Sequence, residues 1–219
     1  MSTTTVKHAY QNEIVAHDYD RERFANFAGR VFDRLEKRAL RAMVRQVLSH
    51  TPTPSVLDVP CGTGRITELL LQEGLNTTGG DISTQMIDVA QRKLRRFGRQ
   101  VTFQQLDLDA LALPENSFNL VTCIRLFHHL HTDERATVLE QLARVSNRYV
   151  IINVSYSSPY YRLRRQVKRC LGQGVSRTST TWRQLEHEAA YAGLRISSWR
   201  FVLPGISEDM IVLLEKASA

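Results

Sequence analysis

Val56-Leu57-Asp58-Val59-Pro60-Cys61-Gly62-Thr63-Gly64-Arg65 is the stretch of sequence that decides the fold. Its first four residues are mostly apolar and are bounded by turn residues, a pattern that predicts a short buried strand. Gly62 and Gly64 give the backbone freedom for a tight turn and let a ligand approach the main chain without meeting a Cβ atom. A helix predicted from Arg65 to Gln72 starts at this turn and presents unpaired N–H groups. Strand, glycine turn and helix start together predict a site for a nucleotide-type ligand.

The order of the turn residues separates two kinds of ligand. A dinucleotide-binding turn has the pattern G-x-G-x-x-G. Here Asp58 ends the strand and Pro-Cys-Gly-Thr-Gly follows, which resembles the first motif of the class I S-adenosylmethionine-dependent methyltransferases, Asp/Glu-x-Gly-x-Gly-x-Gly, with Pro60 at the first glycine. The resemblance implies that S-adenosylmethionine is the cofactor, that Pro60, Cys61, Gly62 and Gly64 surround its methionine part, and that Asp58 lies near its ammonium group. A plain strand-to-helix turn is the alternative.

Two more acids follow predicted strands. The segment 77–81 predicts a second strand ending in Asp81, which follows the glycines by about the 20 residues expected of a ribose-binding carboxylate. The segment 101–106 predicts a third strand, followed by Asp107. Residues 113–121 resemble the Leu-Pro-x-x-x-Ser-Phe-Asp-Leu-Val stretch of the same family, with Asn in place of the Asp. Alignment on that stretch implies that Asp107 binds the adenine amino group.

The remaining predicted cofactor-binding residues lie beside these acids or after the next strand. They are Ile82, Met86, Leu108 and Arg125.

Two adjacent histidines follow the predicted fourth strand, 118–124. They lie where ligands bind in α/β sheets, at the carboxyl edge. His129 aligns with the more regular histidine of the family, and either His128 or His129 could act as a general base during methyl transfer. The alternative is that one of them packs beneath the loop with its ring nitrogens bonded to backbone groups. No acidic or cysteine cluster accompanies the pair, so no bound metal is expected.

The first fifty residues predict a helical leader or lid, ahead of a methyltransferase domain over 51–219 that forms one structural unit with it. Apolar residues at three- and four-residue spacing predict a helix from Glu13 to Ser49. Its inward stripe is Phe24, Phe27, Val31, Leu35, Ala39, Met43 and Val47. Residues 15–20 resemble the A-x-x-Tyr-Asp leader of small-molecule methyltransferases, which implies that Tyr19 closes over the cofactor. An ordinary amphipathic anchor is the alternative for Tyr19.

The alternation of strands and helices predicts an α/β fold: a doubly wound, Rossmann-like, seven-stranded and mainly parallel sheet with an antiparallel edge strand. A helix capped by Ser83 runs to about Phe97, and an unbroken apolar run over 149–154 predicts a fifth strand buried on both faces. A lid insertion occupies about 155–180. The last helix is predicted over 182–191, and 196–203 and 210–214 predict an antiparallel pair.

Composition indicates which partners and compartments are compatible with this chain. It has 219 residues with a formal net charge of +7, which fits an acidic substrate, a nucleic acid or an anionic surface, or simply an Arg-rich exterior. Three scattered cysteines indicate reduced thiols rather than a disulfide framework. No apolar signal core and no membrane-spanning run is seen, so a cytoplasmic protein is expected.

The predicted activity is methyl transfer from S-adenosylmethionine to a small-molecule acceptor, with acidic and lipid-linked acceptors among the candidates. An RNA or protein methyltransferase is one alternative, although the Asn/Asp-Pro-Pro-Tyr/Phe segment of enzymes that methylate exocyclic amino groups in nucleic acid is missing. A non-catalytic cofactor-binding partner subunit is another. Residues 160–171 predict an amphipathic basic helix that lies on an anionic surface or closes over an acidic substrate. A helix docked on the domain with a solvated arginine face is the alternative for that segment.

Overall fold

The structure, a computed structural model, describes residues 27–51, 54–170 and 178–217. Over these ranges the helices are α1 (Phe27–Leu48), α2 (Arg65–Gln72), α3 (Thr84–Leu94), α4 (Thr132–Val145), α5 (Pro159–Cys170) and α6 (Trp182–Tyr191). The strands are β1 (Val56–Asp58), β2 (Thr77–Asp81), β3 (Val101–Gln105), β4 (Phe118–Cys123), β5 (Ser146–Ser155), β6 (Leu194–Phe201) and β7 (Asp209–Lys216). Short 3-10 helices cover Arg95–Gln100 and Phe127–His129.

The strands form one seven-stranded sheet in the order β3-β2-β1-β4-β5-β7-β6. The first five strands pair in parallel, and β7 pairs antiparallel with both β5 and β6. The predicted fold class is therefore confirmed, with the reversed strand β7 inserted between β5 and the edge strand β6. The strand order changes direction between β1 and β4, and ligands of open α/β sheets bind in the crevice outside the carboxyl ends of strands at such a point.

Both faces of the sheet are covered, which explains why its central strands are apolar without alternation. One face packs against α1 and α2, through buried side chains such as Leu40, Met43 and Leu69. The other face packs against α4 and α6, through Leu139 and Leu185 among others. With both sides of the sheet buried, the carboxyl edge is the part of this sheet where a ligand can reach the strand ends.

The predicted bounds of α2, β2 and α6 are confirmed, whereas other elements differ at one or both ends. Strand β6 begins and ends two residues earlier than predicted, and β7 is longer than predicted at both ends. Helix α3 ends at Leu94, three residues early, because the chain passes into a 3-10 turn in which Gly98 has φ +55°. Strand β5 is longer than predicted at both ends. The predicted stripe of α1 is wrong at its start: Phe27 is exposed, whereas Glu36 is buried among the apolar side chains. The predicted helical residues 13–26, with Tyr19, lie outside the described residues.

Candidate active site

The turn after β1 has the tight backbone that its glycines predict. Gly62 has φ +52° and Gly64 has φ +76°, both in the left-handed region, and the Val59–Pro60 peptide bond is cis. A Cβ atom built on Gly64 would lie 2.8 Å from Leu94 Cδ1, so this glycine lets α3 pack against the turn. A Cβ atom on Gly62 would have no described atom within 4 Å. The turn therefore packs on α3 through Gly64 and leaves space beside Gly62.

Asp58 lies beneath this turn and is almost completely buried. Its carboxylate accepts hydrogen bonds from the hydroxyl of Thr67 on α2 at 2.7 Å and from the hydroxyl of Thr122 on β4 at 2.8 Å. Burial raises the pKa of Asp58 from 3.8 to about 6, although these hydroxyls and the nearby Arg65 work against the increase. Asp58 therefore ties β1 to α2 and β4.

Asp81 connects the end of β2 to the glycine turn. One of its carboxylate oxygens accepts from the Gly62 N–H at 2.8 Å, and the other accepts from the Ser83 N–H at 3.0 Å. The Cys61 N–H donates to Gly80 O at 2.7 Å, which brings the turn and the strand end still closer. Burial raises the pKa of Asp81 even though backbone N–H groups bind its charged form. A carboxylate has about four acceptor positions, so these two bonds leave capacity for further donors.

The three strand-end acids are staggered along the carboxyl edge. Asp58 pairs in register with Gly79, and Asp81 pairs with Gln105. Each acid is therefore two residues further out than the one before it, with Asp107 outermost and partly exposed. The prediction that the acids follow successive strands is confirmed, but they do not share one level.

The other predicted cofactor-binding residues lie along the same edge. The backbone carbonyl of Ile82 accepts a hydrogen bond from the Gln105 side chain at 3.0 Å. Met86 is buried near the start of α3 and its N–H donates to the Ser83 hydroxyl. Leu108 packs partly buried against the core. These contacts place the three residues beside the loops that follow β2 and β3.

Arg125 follows β4 in a left-handed conformation, with φ +71°. Its backbone N–H donates to the side-chain oxygen of Asn153 on β5 at 2.9 Å. Its guanidinium lies over the Phe32 ring, 5.0 Å from the centroid, and its Nε is 2.8 Å from Glu36 Oε1. The side chain thus runs toward α1, so that the backbone of Arg125 lies at the carboxyl edge while its charge is held by Glu36.

Glu36 on α1 joins two buried arginines and was not identified from the sequence. Its other oxygen is 2.7 Å from Arg65 Nη2, and Arg65 also contacts Asp33 at 2.6 Å. Burial lowers the pKa of Arg65, but Glu36 and Asp33 outweigh burial and the pKa is raised. Glu36 itself has no exposed surface. It therefore fixes α1 against both the helix after the glycine turn and the residue after β4.

The histidine pair lies in the 3-10 turn after β4, where the sequence places it. The ring centroids of His128 and His129 are 4.2 Å apart. His128 is buried and its carbonyl accepts from the Thr178 N–H, whereas His129 is partly exposed. Arg135 of α4 secures this turn by donating to Phe127 O at 3.0 Å and to Thr178 O at 3.3 Å. Of the two histidines, His129 is the one that solvent can reach.

The cysteines near the site are unsuited to nucleophilic chemistry. Burial, reinforced by nearby carboxylates, raises the pKa of Cys61 and of Cys123 well above the ordinary value of a thiol. In the described ranges no group of three or more His, Cys, Asp or Glu side chains is placed to hold a metal ion. No helix within those ranges has the length and apolar character needed to span a bilayer.

Comparison with known proteins finds sequence similarity over the part of the chain that contains the site. Residues 56–148 match the sequence profile of a family described as "Methyltransferase domain". A ubiquinone biosynthesis O-methyltransferase of Coxiella burnetii is 34% identical over 80 residues, covering 36% of this chain and 34% of that protein. A magnesium-protoporphyrin O-methyltransferase of Synechocystis is 32% identical over 101 residues, covering 45% and 43%. The chain thus spans between about a third and just under half of the length of these curated relatives.

Solved structures show the same fold over nearly the whole chain. The magnesium protoporphyrin IX methyltransferase of Synechocystis, with bound SAH, superposes with a TM-score of 0.82 at 20% identity, covering 99% of this chain and all of that one. The 1,6-didemethyltoxoflavin-N1-methyltransferase of Burkholderia thailandensis gives a TM-score of 0.65 at 17% identity, covering 97% and 91%. At such identities the likeness is one of fold.

Proposed function

We propose that this chain is a class I S-adenosylmethionine-dependent methyltransferase that transfers a methyl group from S-adenosylmethionine to an oxygen atom of a small-molecule acceptor. The match of residues 56–148 to the methyltransferase-domain family supports this assignment. The family match lies on the segment that contains the glycine turn, the three strand-end acids and the histidine pair. The curated relatives named above are O-methyltransferases, which supports oxygen as the acceptor atom.

The single observation that carries the proposal is the position of Asp81. Its carboxylate stands at the end of β2, the strand next to β1, and is held against the glycine turn after β1 by the N–H groups of Gly62 and Ser83; the strand order reverses between β1 and β4. A fixed carboxylate with acceptor capacity left suits the two vicinal hydroxyls of a ribose. The space beside Gly62 lets the methionine part of the cofactor lie against the turn.

The neighbouring residues take the other parts of the cofactor. Asp107, outermost on the edge, would accept from the adenine amino group. Asp58, beneath the turn, favours the ammonium group through its charge and shapes the loop formed by Pro60 and Cys61. The Arg125 backbone lies at the same edge, and Tyr19 would close over the bound cofactor.

Methyl transfer from a sulfonium requires the acceptor oxygen to approach in line with the breaking S–CH₃ bond. Orientation of this kind can lower the activation free energy by on the order of 7–11 kcal/mol. His129, at the carboxyl edge and partly exposed, would take the proton from an acceptor hydroxyl as the new bond forms. His128 is buried behind it and would serve mainly to orient the turn.

A catalytic role suits the residues after β4 better than a scaffolding role does. A non-catalytic cofactor-binding subunit would be favoured if Arg125 or Phe127 filled the acceptor position. The Arg125 side chain instead turns toward Glu36, and Phe127 is part of the core. The net charge of +7 favours an acidic or lipid-linked acceptor, and unpaired cysteines favour a cytoplasmic location.

The proposed activity is tested with S-adenosylmethionine labelled in its methyl group. The purified chain is incubated with fractionated metabolite extracts, and label is followed into organic-extractable products. We expect label in a discrete small molecule, and about 10- to 150-fold less of it at limiting cofactor concentration when Asp81→Ala replaces the parent chain, in proportion to its weaker cofactor binding. Label that appears only in RNA or protein, or in no fraction although the cofactor binds, would overturn the proposal.

A further inference from the structure

The positive charge of this protein is concentrated in one segment. Residues 155–184 contain seven basic and no acidic side chains, which equals the net charge of +7 for the whole chain, so the rest of the sequence is neutral. The seven are Arg162, Arg164, Arg165, Lys168, Arg169, Arg177 and Arg183. Solubility alone does not require such a concentration, because a solvated surface serves that purpose with charges of both signs interspersed.

Apolar side chains are exposed in the same region. Tyr160 and Leu163 on α5 are 57% and 62% exposed, and Ile206, in the loop between β6 and β7, is 58% exposed. These three account for half of the large hydrophobic side chains that are exposed among the described residues, the others being Phe27, Tyr191 and Trp199. The exposure is therefore concentrated where the charge is.

Contacts between α5 and the loop hold these side chains in one patch. The Tyr160 hydroxyl donates to Gly205 O at 3.2 Å, and the Arg164 guanidinium donates to Ile206 O. The buried Tyr161 anchors the same helix by donating from its hydroxyl to Ser207 O at 2.8 Å. We call Tyr160, Leu163 and Ile206, together with the flanking Arg162 and Arg164, the α5 patch.

We infer that the α5 patch docks this protein on the surface of an anionic lipid bilayer. Aliphatic and aromatic side chains beside arginines match the two layers of a membrane interface: the former enter the headgroup boundary and the latter attract anionic headgroups. A polynucleotide would be recognised by the charges alone, since Leu163 and Ile206 offer nothing to phosphates. The bilayer is therefore the partner that uses both features of the patch. Docking is independent of the proposed methyl transfer and needs no cofactor.

Vesicle sedimentation tests this inference with the full chain. We expect binding to vesicles of equal parts phosphatidylcholine and phosphatidylglycerol at low salt, and little binding to pure phosphatidylcholine. Arg162→Gln/Arg164→Gln should weaken binding about 30-fold, because each basic residue near an anionic surface contributes roughly a fivefold increase. Leu163→Ser/Ile206→Ser should weaken vesicle binding at least tenfold. The vesicle binding that this variant retains should depend on salt in the same way as that of the parent.

Matched controls separate the patch from general charge and general hydrophobicity. Arg95→Gln/Arg99→Gln removes two exposed charges outside the patch, and Tyr191→Ser removes an exposed ring outside it. Both should bind vesicles like the parent within about threefold. Circular dichroism checks that each variant is folded, since all these side chains lie at the surface. Equal loss in the Arg95/Arg99 control, no response to Leu163→Ser/Ile206→Ser, or binding to a short RNA in preference to vesicles would overturn the inference.

Discussion

Glu36→Gln tests the buried ion network that joins α1 to the candidate site. The substitution keeps the size of the side chain and removes its charge. Glu36 is fully buried, and its two oxygens lie 2.8 Å from Arg125 and 2.7 Å from Arg65. The Arg125 and Arg65 side chains are themselves only 11% and 12% exposed. The variant therefore leaves two arginines buried without the carboxylate that balances them.

The expected loss follows from this burial. Removing one partner of a buried ion pair costs about 3–5 kcal/mol, because the other charge stays out of water without compensation. Arg65 still contacts Asp33 at 2.6 Å, which limits its share of the loss. Arg125 keeps its position over the Phe32 ring, where a cation–π contact contributes only about 0.5–2 kcal/mol. We therefore expect the free energy of unfolding to fall by about 3 kcal/mol, with most of the effect coming from Arg125.

Glu73→Gln is the matched control. Glu73 also contacts two arginines, Arg41 at 3.0 Å and Arg45 at 3.2 Å, but these side chains are 36% and 69% exposed. Ion pairs at the surface contribute about 0–1 kcal/mol, so this variant should lose no more than that. Glu73 is itself only 13% exposed, so the two variants compare the same chemical change beside buried and beside exposed arginine partners.

Urea unfolding followed by the fluorescence of the two tryptophans gives both free energies. Binding of S-adenosylmethionine to the folded variants is measured separately by calorimetry, because Glu36 also positions residues on either side of the glycine turn. Equal destabilisation by Glu36→Gln and Glu73→Gln would refute the assignment of Glu36 as the charge that holds Arg65 and Arg125.

Asp58, the glycine turn and His129 each give a separate prediction. Because burial raises the pKa of Asp58 from 3.8 to about 6, the contribution of its protonated form to stability is fully present below about pH 4 and is lost as the pH rises through 6. Urea unfolding should therefore show the parent losing about 2.5 kcal/mol relative to Asp58→Asn between pH 4 and pH 7, and a constant difference would contradict this. Gly64→Ala, whose Cβ would lie 2.8 Å from Leu94, should lower the thermal midpoint more than Gly62→Ala, and the reverse order would contradict the packing. His129→Ala should lower turnover by about 10²–10⁴ with cofactor affinity unchanged, and a rate within threefold of the parent would remove His129 as the base.

The features that depend on neighbouring residues in the chain were predictable. The glycine turn and α2 are local patterns, so the sequence places both correctly. Strand β2 was predicted at its observed bounds because a parallel strand with a neighbour on each side requires only a short run of residues between two turn signals. Asp81 was placed at the carboxyl edge for the same reason.

The features that depend on contacts between distant elements were not predictable. The stagger of the acids follows from strand register, which no single segment of sequence determines. The hydroxyl partners of Asp58 come from α2 and β4, so their role requires the assembled sheet. Glu36 did carry a signal: it lies one position after Leu35 and three before Ala39, within the apolar stripe of α1, where an acid indicates a buried partner.

Calorimetric titration with S-adenosylmethionine tests the central claim most directly. At pH 7.5 the parent chain should bind S-adenosylmethionine and S-adenosylhomocysteine, and should give no heat with NAD. Asp81→Ala should bind the cofactor about 10- to 150-fold more weakly, because it loses charge-assisted hydrogen bonds of roughly 1.5–3 kcal/mol. Asp109→Ala, which removes an exposed acid from the loop after β3, should bind like the parent. A folded parent chain that does not bind S-adenosylmethionine, or an Asp81→Ala variant with unchanged affinity, would contradict the account.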